Sequence, residues 1–296
     1  ELFSEEMPAD IQISASENLK KLITDGFADS GIFYSSATNF STPQRLCVVI
    51  EGLSTQSKKN TELKRGPKIG APKRAVEGFA QSLGLTVDSL TEEDDKKGKY
   101  YFANISQPAV DTRDIASKII ETAILELAWP KSMRWGSNQL RWVRPLKAIL
   151  CILIDKNESE IVPVKIHNII ASNMTSGHRF MSPVKFVVNS FDEYEENLRK
   201  NFVILNPKER LEIIWADANN LAFSQGLEII KDENLLAEVV GLVEWPIVLM
   251  GDVAREYLDL PAEVLQTSMK KHQKFFSVMN VKTQKIEKFI TVANVD

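Results

Sequence analysis

The spacing of apolar residues predicts two long amphipathic helices. Residues 8–27 begin at Pro8, which suits the first turn of a helix, and residues 111–127 end before the Trp129-Pro130 pair. Both segments repeat apolar side chains at intervals of three and four residues, which places those side chains on one face. These positions are Ile11, Leu19, Leu22, Ile23 and Phe27, then Ile115, Ile119, Ile120, Ala123, Ile124 and Leu127.

Shorter apolar and β-branched runs predict strands, and the remaining periodic segments predict further helices. Strands are expected within 31–40, 44–53, 100–106, 160–166 and 184–190, and a terminal hairpin within 273–294. The apolar run 146–154 is expected to be a buried strand or a core helix segment. Short helices are expected after Pro72 and Pro261, and residues 191–242 are predominantly helical in pattern. We therefore expect an α+β protein with mixed or antiparallel sheets, packed helices and at least two subdomains.

The polar turn DKNESE (155–160) is the expected boundary between two units. Residues 1–157 would form the first α+β unit, and residues 158–296 would form a second one that contains the helical segment 191–242. A chain of 296 residues exceeds one typical core, which agrees with such a division.

Composition narrows the classes of function. The formal net charge of −4 argues against a protein that coats nucleic acid by bulk charge, although a local basic surface remains possible. The chain has two cysteines, Cys47 and Cys151, each inside an apolar run, so we expect buried free thiols and a reducing, cytoplasmic environment. Two cysteines and three histidines make a zinc site improbable. Apolar runs are too short for a membrane span.

The segment 57–74, SKKNTELKRGPKIGAPKR, is the first candidate RNA-binding site. It holds seven basic residues and one acid, and its glycine and proline content predicts an exposed loop. Lysine and arginine side chains bind phosphates, so the segment is interpreted as a contact surface for RNA. The alternative interpretation is an exposed loop that only increases solubility. The candidate ligands are Lys64, Arg65, Lys68, Lys73 and Arg74. The segment LTEEDDKKGK (90–99) predicts a charged, solvated turn.

The segment 129–145, WPKSMRWGSNQLRWVRP, contains three of the five tryptophans and no acid. Arginine beside aromatic rings suits RNA, whose bases stack on rings while phosphates bind the cations. The seven-residue spacing of Trp135 and Trp142 would place both on one face of a helix, which favours burial of the rings. We assign the tryptophans to packing and keep the cations Lys131, Arg134, Arg141 and Arg144 as candidates for RNA or subunit contact.

Two further segments carry candidate residues. His178 and Arg179 follow Gly177 in a loop-like stretch, and the pair suits phosphate binding or acid–base chemistry. A histidine without an orienting carboxylate is more often structural. In MKKHQKFF (269–276), Lys270 and Lys271 would dock on RNA or a partner, or else begin an amphipathic strand. A phosphate-binding loop, a metalloprotease motif and a nucleophile elbow are absent from the sequence, so a catalytic site is not predicted.

Taken together, the motifs resemble those of the beta subunit of bacterial heterotetrameric glycyl-tRNA synthetase. The resemblance covers the chain in order, through SEEMPA (4–9), STPQRL (41–46), RGPKIGAP (65–72), AVEGFAQSLG (75–84), PKSMRWG (130–136), RWVRP (141–145), SGHRF (176–180), LVEWP (242–246), LPAEVLQTSMKKHQKFF (260–276) and FITVAN (289–294). The family usually begins with a short strand before an EELP-like segment, which here is EEMP.

The resemblance implies a division of labour between two subunits. In this family the alpha subunit holds the class II active site, where ATP, Mg²⁺ and glycine bind, and the beta subunit contributes recognition of tRNA(Gly). The chain would then be the N-terminal portion of a longer protein that continues into HD-like and anticodon-binding regions. It would bind no cofactor or metal itself and would contact neither DNA nor a membrane. Part of it is expected to resemble the B3/B4 module of the phenylalanyl enzyme.

Two alternatives to tRNA positioning remain open. In the first, the chain is a hydrolytic tRNA-editing module with His178 near the hydrolytic site. In the second, it is a scaffold that binds the alpha subunit and does not contact RNA. Editing has a weak rationale for glycine, because a pocket for the smallest amino acid excludes larger side chains sterically.

Overall fold

The α+β expectation is confirmed by a computed structural model that describes residues 1–58, 60–95, 98–107, 109–136, 140–156 and 158–295. The helices are α1 (Ala9–Asp29), α2 (Lys73–Ser82), α3 (Thr112–Glu126), α4 (Phe191–Lys200), α5 (Pro207–Ser224), α6 (Glu233–Val240) and α7 (Ala262–Ser268). A π-helical turn, Met269–Gln273, follows α7. The helices predicted from apolar periodicity are therefore present. Within the described ranges, no helix is long and apolar enough to cross a membrane.

The strands form several small antiparallel sheets. They are β1 (Leu2–Ser4), β2 (Ser36–Ser41), β3 (Arg45–Glu51), β4 (Asn60–Lys68), β5 (Leu90–Asp95), β6 (Gly98–Gln107), β7 (Leu146–Ile149), β8 (Ile152–Asp155), β9 (Glu158–Ile161), β10 (Lys165–Ile166), β11 (Ile169–Ile170), β12 (Met174–Ser176), β13 (Lys185–Val187), β14 (Glu228–Ile229), β15 (Ile247–Asp252), β16 (Phe276–Asn280) and β17 (Lys285–Ala293). The predicted terminal hairpin is the β16–β17 pair.

A sheet of order β2-β3-β1-β7 lies between helices on both of its faces. Because side chains alternate along a strand, Leu46 of β3 joins the core formed with α1 and α3, while Cys47 joins a second core with α4. Leu19, Ile23 and Phe27 of α1 are four residues apart and are all buried in the first core. Each such side chain contributes about 1.5–3 kcal/mol of stability relative to exposure.

A second sheet, of order β14-β16-β17-β15, packs against α5 and α6. Ile214 of α5, Val278 of β16 and Ile290 of β17 are completely buried in this core. Asn206 and Asp232 cap the starts of α5 and α6, because their side-chain oxygens accept backbone N–H groups of the first turn.

A third unit, residues 60–107 with the gap at 96–97, corrects two expectations. The segment 57–74 contains β4 where a loop was expected, and the segment 90–99 contains β5 where a turn was expected. Both strands are polar, but each pairs along one side with the central strand β6, which satisfies the backbone N–H and C=O groups on that side. Lys59, Lys96 and Lys97 lie outside the described residues.

This unit is attached to the rest of the protein by two neighbouring chain segments. The backbone N–H of Ser57 donates to the carbonyl of Val110 at 3.0 Å, and Gln56 forms a bridge with Asp111. The unit's buried residues Val76, Ala80 and Ala103 are separate from the hydrophobic clusters of the sheets described above. It therefore has a small core of its own.

The expected boundary at 157/158 stays a prediction, and residue 157 lies outside the described residues. Strands β8 and β9 pair across this position, with Ile152 opposite Ile161. Val162 and Val164 are buried in the same core as α1 and α3.

Candidate nucleic-acid interface

The five cations predicted in segment 57–74 lie together on the β4-β6-β5 unit. Lys64, Arg65 and Lys68 belong to β4, while Lys73 and Arg74 occupy the first turn of α2, and all five are exposed. A tight turn joins the two elements, with Gly70 at a φ of +90° and the N–H of Ala71 donating to the carbonyl of Lys68. These five exposed cations on β4 and at the start of α2 are here called the basic surface; Arg65 and Lys68 lie on one face of the sheet, and Lys64 lies on the other.

The two faces of this sheet differ. Helix α2 covers one face, where the Phe79 ring packs on Gly66; a Cβ at Gly66 would lie 2.4 Å from that ring. The opposite face, here called the open face, carries Arg65, Lys68, Tyr100 and Phe102, because residues paired across strands share a face. The Arg65 guanidinium lies 4.7 Å from the centroid of the Tyr100 ring. Sequence reasoning missed these aromatics, although the alternation within YYFANIS was a usable signal.

The tryptophan-rich segment does not form the helix that the spacing of Trp135 and Trp142 suggested. Instead, Met133 and Trp142 exchange backbone hydrogen bonds of 2.8 and 3.2 Å as an antiparallel bridge. Trp142 is 1% exposed, and the Trp129 ring meets it edge-on at 4.8 Å. Trp129 and Trp135 pack on the first core, which confirms the assignment of the tryptophans to packing. Residues 137–139 lie outside the described residues.

The cations of the same segment point outward. Lys131, Arg134, Arg141 and Arg144 are all exposed. Arg141 donates from Nε to the Ser132 hydroxyl at 3.3 Å, and Arg144 donates to the carbonyl of Val143 at 3.0 Å. Exposure keeps the four side chains as candidates for contact with RNA or with another subunit.

His178 has a structural geometry. It is fully buried, and its Nδ1 accepts the backbone N–H groups of Phe180 and Met181 at 3.3 and 3.2 Å. Its backbone N–H donates to the carbonyl of Asn201. The preceding residue, Gly177, packs so closely against Asn201 that a side chain there would collide with it. Nδ1 is therefore occupied by the loop that it stabilises, and Nε2 is also buried.

Arg179 is exposed beside two acids. Its guanidinium lies 3.6 Å from the carboxylates of Glu5 and Glu6 and 5.3 Å from the Phe180 ring. A phosphate would have to compete with both carboxylates, so Arg179 is a weaker candidate than the cations of β4.

Lys270 and Lys271 lie in the π-helical turn after α7, not at the start of a strand. Lys271 is exposed, while Lys270 forms an ion pair with Asp232, the capping residue of α6. Partial burial acts to raise the pKa of Asp232, but hydrogen bonds from Lys270 and from the Leu235 N–H outweigh it and lower that pKa. Lys270 therefore has a structural role, and Lys271 stays a candidate.

A buried charge cluster, formed by Arg45, Glu244 and Glu1, was not foreseen from the sequence. Arg45 is completely buried and forms an ion pair with Glu244, while its Nε lies 3.3 Å from Glu1 and its Nη2 donates to the Ser176 carbonyl at 2.5 Å. Burial acts to lower the pKa of Arg45, but Glu244 and Glu1 outweigh it and raise that pKa. The guanidinium therefore stays charged and ties β3 to segments that are distant in sequence.

Arg210 of α5 extends this buried polar region. Its guanidinium donates to the carbonyls of Ser41, Ile204, Leu205 and Val240 at 2.6–3.3 Å. Burial lowers its pKa to about 10, which still leaves it charged at neutral pH. Buried arginines have no signature in a single sequence, because QRL and KER resemble ordinary surface segments.

Both thiols are free, as expected; Cys47 is buried, whereas Cys151 is only partly buried. Burial raises the pKa of Cys47 and of Cys151 to about 11, so both stay protonated at neutral pH. Among the residues that the structure describes, no group of His, Cys, Asp and Glu is arranged to hold a metal ion.

The sequence was compared with known protein families and curated proteins. The profile of the family described as "Glycyl-tRNA synthetase beta subunit" matches residues 1–296. Relatives described as "Glycine--tRNA ligase beta subunit" include proteins of Ruegeria sp. (strain TM1040), 54% identical over 99% of this chain, and of Paracoccus denitrificans (strain Pd 1222), 51% identical over 100%. The chain spans 43% of the length of each of these relatives. It belongs to the glycyl-tRNA synthetase beta subunit family.

Proposed function

We propose that this chain serves a glycine–tRNA ligase by binding tRNA(Gly) and positioning it for a separate alpha subunit. That subunit would hold the active site, with ATP and Mg²⁺, and attach glycine to the tRNA in a cytoplasmic heterotetramer. The description of the relatives as beta subunits supports a partner subunit. This portion of the protein would donate no catalytic group.

The clustering of five exposed cations on β4 and α2 carries the proposal. The protein as a whole has a net charge of −4, so these residues create a local positive surface that total charge conceals. Association with RNA follows the local field, and each lysine or arginine that neutralises a phosphate releases a counterion. A basic surface in an acidic protein is typical of selective contact with one region of a nucleic acid.

The position of Lys73 and Arg74 adds support. Both lie in the first turn of α2, where the helix dipole disfavours positive charge by about 0.3–1 kcal/mol. The exposed pair of Lys73 with Glu77, 3.8 Å apart, offsets only part of this cost. A phosphate bound here would interact favourably both with the N-terminus of α2 and with the two cations, which would offset the unfavourable interaction of the cations with the helix dipole.

Positioning is a sufficient contribution to catalysis. The rate of transfer depends on how often the 3′ end of the tRNA lies in reach of the activated glycine, and a subunit that holds the tRNA raises this frequency. Formation of glycyl-adenylate involves no tRNA. It is therefore expected to be independent of the basic surface.

The proposal is tested in the assembled synthetase by a triple variant that combines Lys64→Ala, Arg65→Ala and Lys68→Ala. We expect weaker tRNA binding and a salt dependence that is flatter by about 2 units of log K per log salt, since each phosphate contact contributes about 0.7–0.9. Glycyl-adenylate formation should change little. A matched control removes three exposed lysines elsewhere, by Lys118→Ala, Lys200→Ala and Lys208→Ala.

An unaltered salt slope in the triple variant would remove this surface from the RNA interface. Binding of the alpha subunit without any tRNA affinity at low salt would favour the scaffold alternative. Deacylation of misacylated tRNA above the rate of free tRNA would favour the editing alternative.

A further inference from the structure

The open face of the β4-β6-β5 sheet combines aromatic rings with cations. Tyr100 and Phe102 are alternate residues of the central strand β6, so their side chains project from the same face, and both are half-buried. Phe102 is paired with Arg65 and Tyr100 with Lys68 across the strands. Exposed Asn104 and Leu63 lie on the same face at the next paired position.

The geometry of Arg65 and Tyr100 suits stacking. The Arg65 guanidinium lies over the Tyr100 ring at 4.7 Å from its centroid, which is a cation–π contact. Nucleic-acid bases stack on aromatic rings and equally on guanidinium planes. An unpaired base can therefore extend this pair or take the place of the guanidinium on the ring.

Charge is distributed unequally between the two edges of the sheet. On the open face, the β4 edge carries Arg65 and Lys68, whereas the β5 edge carries Glu93, which is paired with Tyr100. Phosphates are attracted to the first edge and repelled from the second. A nucleic-acid strand would therefore run along β4 with its bases directed over β6.

The same features disfavour other occupants. A base-paired helix keeps its bases stacked internally, so Tyr100 and Phe102 would gain no partner from it. A stable protein interface needs an apolar centre depleted of charge, whereas this face has charged side chains on both edges. The combination of half-buried rings with a one-sided row of cations fits single-stranded nucleic acid best.

We propose that the open face binds unpaired nucleotides of an RNA, with bases stacked on Tyr100 and Phe102 and phosphates held by Arg65 and Lys68. This inference rests on the proposed function and assigns the mode of RNA contact within it. Tyr100 and Phe102 are binding residues and take no part in chemistry.

The test uses Tyr100→Leu and Phe102→Leu in the assembled synthetase. Leucine keeps apolar volume on the sheet and removes the ring. A matched control, Tyr101→Leu, alters the adjacent residue of β6, whose side chain projects from the face covered by α2. The probes are a fluorescently labelled single-stranded RNA of about eight nucleotides, within the range that one such binding face covers, and a blunt RNA duplex, with binding followed by anisotropy.

We expect Tyr100→Leu and Phe102→Leu each to weaken binding of the single-stranded RNA about five-fold or more, which is the typical effect of losing one stacked base. Binding of the duplex and the salt slope should be unchanged, and Tyr101→Leu should bind both probes as the unaltered protein does. Thermal unfolding of all three variants checks that the sheet is intact. Arg65→Lys, which keeps the charge and loses the plane, should also weaken binding of the single strand.

Equal affinity of the Leu variants and the unaltered protein for the single strand would overturn the stacking proposal, and the proposed function would stand if tRNA binding kept its salt dependence. Loss of alpha-subunit association without loss of RNA binding would also overturn it, because the face would then be a protein interface. Failure of the unaltered synthetase to bind tRNA at all would instead refute the proposed function.

Discussion

Arginine has opposite environments in the buried charge cluster and on the basic surface of the β4-β6-β5 unit. Arg45 is completely buried and interacts with carboxylates and a carbonyl of the protein itself, whereas Arg65 is exposed and lies over an aromatic ring. A buried guanidinium is fixed by internal partners and stabilises the connection between segments. An exposed one is accessible to a ligand. Residue type alone therefore does not separate a structural arginine from a candidate for contact with RNA, whereas burial does.

The largest expected effect is on stability, from Arg45→Met. Removal of the guanidinium leaves Glu244 and Glu1 buried without their cation, which should lower the free energy of unfolding by about 3–5 kcal/mol. Chemical denaturation measures this value. The matched exposed substitution, Arg65→Met, should change it by about 1 kcal/mol or less. Similar losses in the two variants would contradict the contrast between the two regions.

Asp232 is an intermediate case that sharpens the comparison. Its carboxylate is 18% exposed, accepts the Leu235 N–H as the cap of α6 and forms an ion pair with Lys270. Asp232→Ala should cost about 1 kcal/mol, as loss of a helix cap usually does, and Asp232→Asn, which keeps the cap, should cost less. Denaturation at neutral pH measures both, and equal losses would assign the effect to the ion pair and not to the cap.

The pH dependence of the same site has a definite sign. The pKa of Asp232 is lower in the folded protein than its ordinary value of 3.8, so its ionisation stabilises the fold above that pH. This contribution is lost as the pH falls below 3.8 through the folded pKa. The difference in the free energy of unfolding between the unaltered protein and Asp232→Asn should therefore shrink on acidification. A difference that stays constant with pH would contradict the stabilising role of the ionised Asp232.

The sequence predicted those parts of the fold in which apolar periodicity and local signals agree. Helices α1 and α3 have apolar residues every three to four positions, and the strands near Arg45–Glu51 and Phe276–Asn280 have apolar runs flanked by turns. In these elements the local pattern identifies the packed face.

Other parts depend on partners that are distant in sequence. Strands β4 and β5 are polar, so their side-chain pattern does not predict strands. They form because each pairs along one side with β6, and backbone pairing does not depend on side-chain polarity. The position of Trp142 depends on an antiparallel bridge with Met133, which the seven-residue spacing of the tryptophans did not predict. Burial of Arg45 and Arg210 likewise required carboxylates and carbonyls from elsewhere in the chain.

The candidate site also has a part that the local sequence predicts and a part that depends on distant residues. Sequence composition identified the cations of segment 57–74, because a cluster of like charges has no role in a core. It missed Tyr100 and Phe102, which become neighbours of Arg65 and Lys68 only when β4 pairs with β6. The sequence alone could not separate His178 and Lys270, which have internal partners, from candidates that are exposed.

Site-specific photocrosslinking in the assembled synthetase with bound tRNA tests the central claim most directly. A benzoylphenylalanine side chain is introduced at Lys68 on the basic surface and, in a separate variant, at the exposed Lys208 of α5. We predict a crosslink to tRNA from position 68 and not from position 208. A crosslink from position 68 to protein alone, with tRNA bound, would contradict the assignment of this surface to RNA.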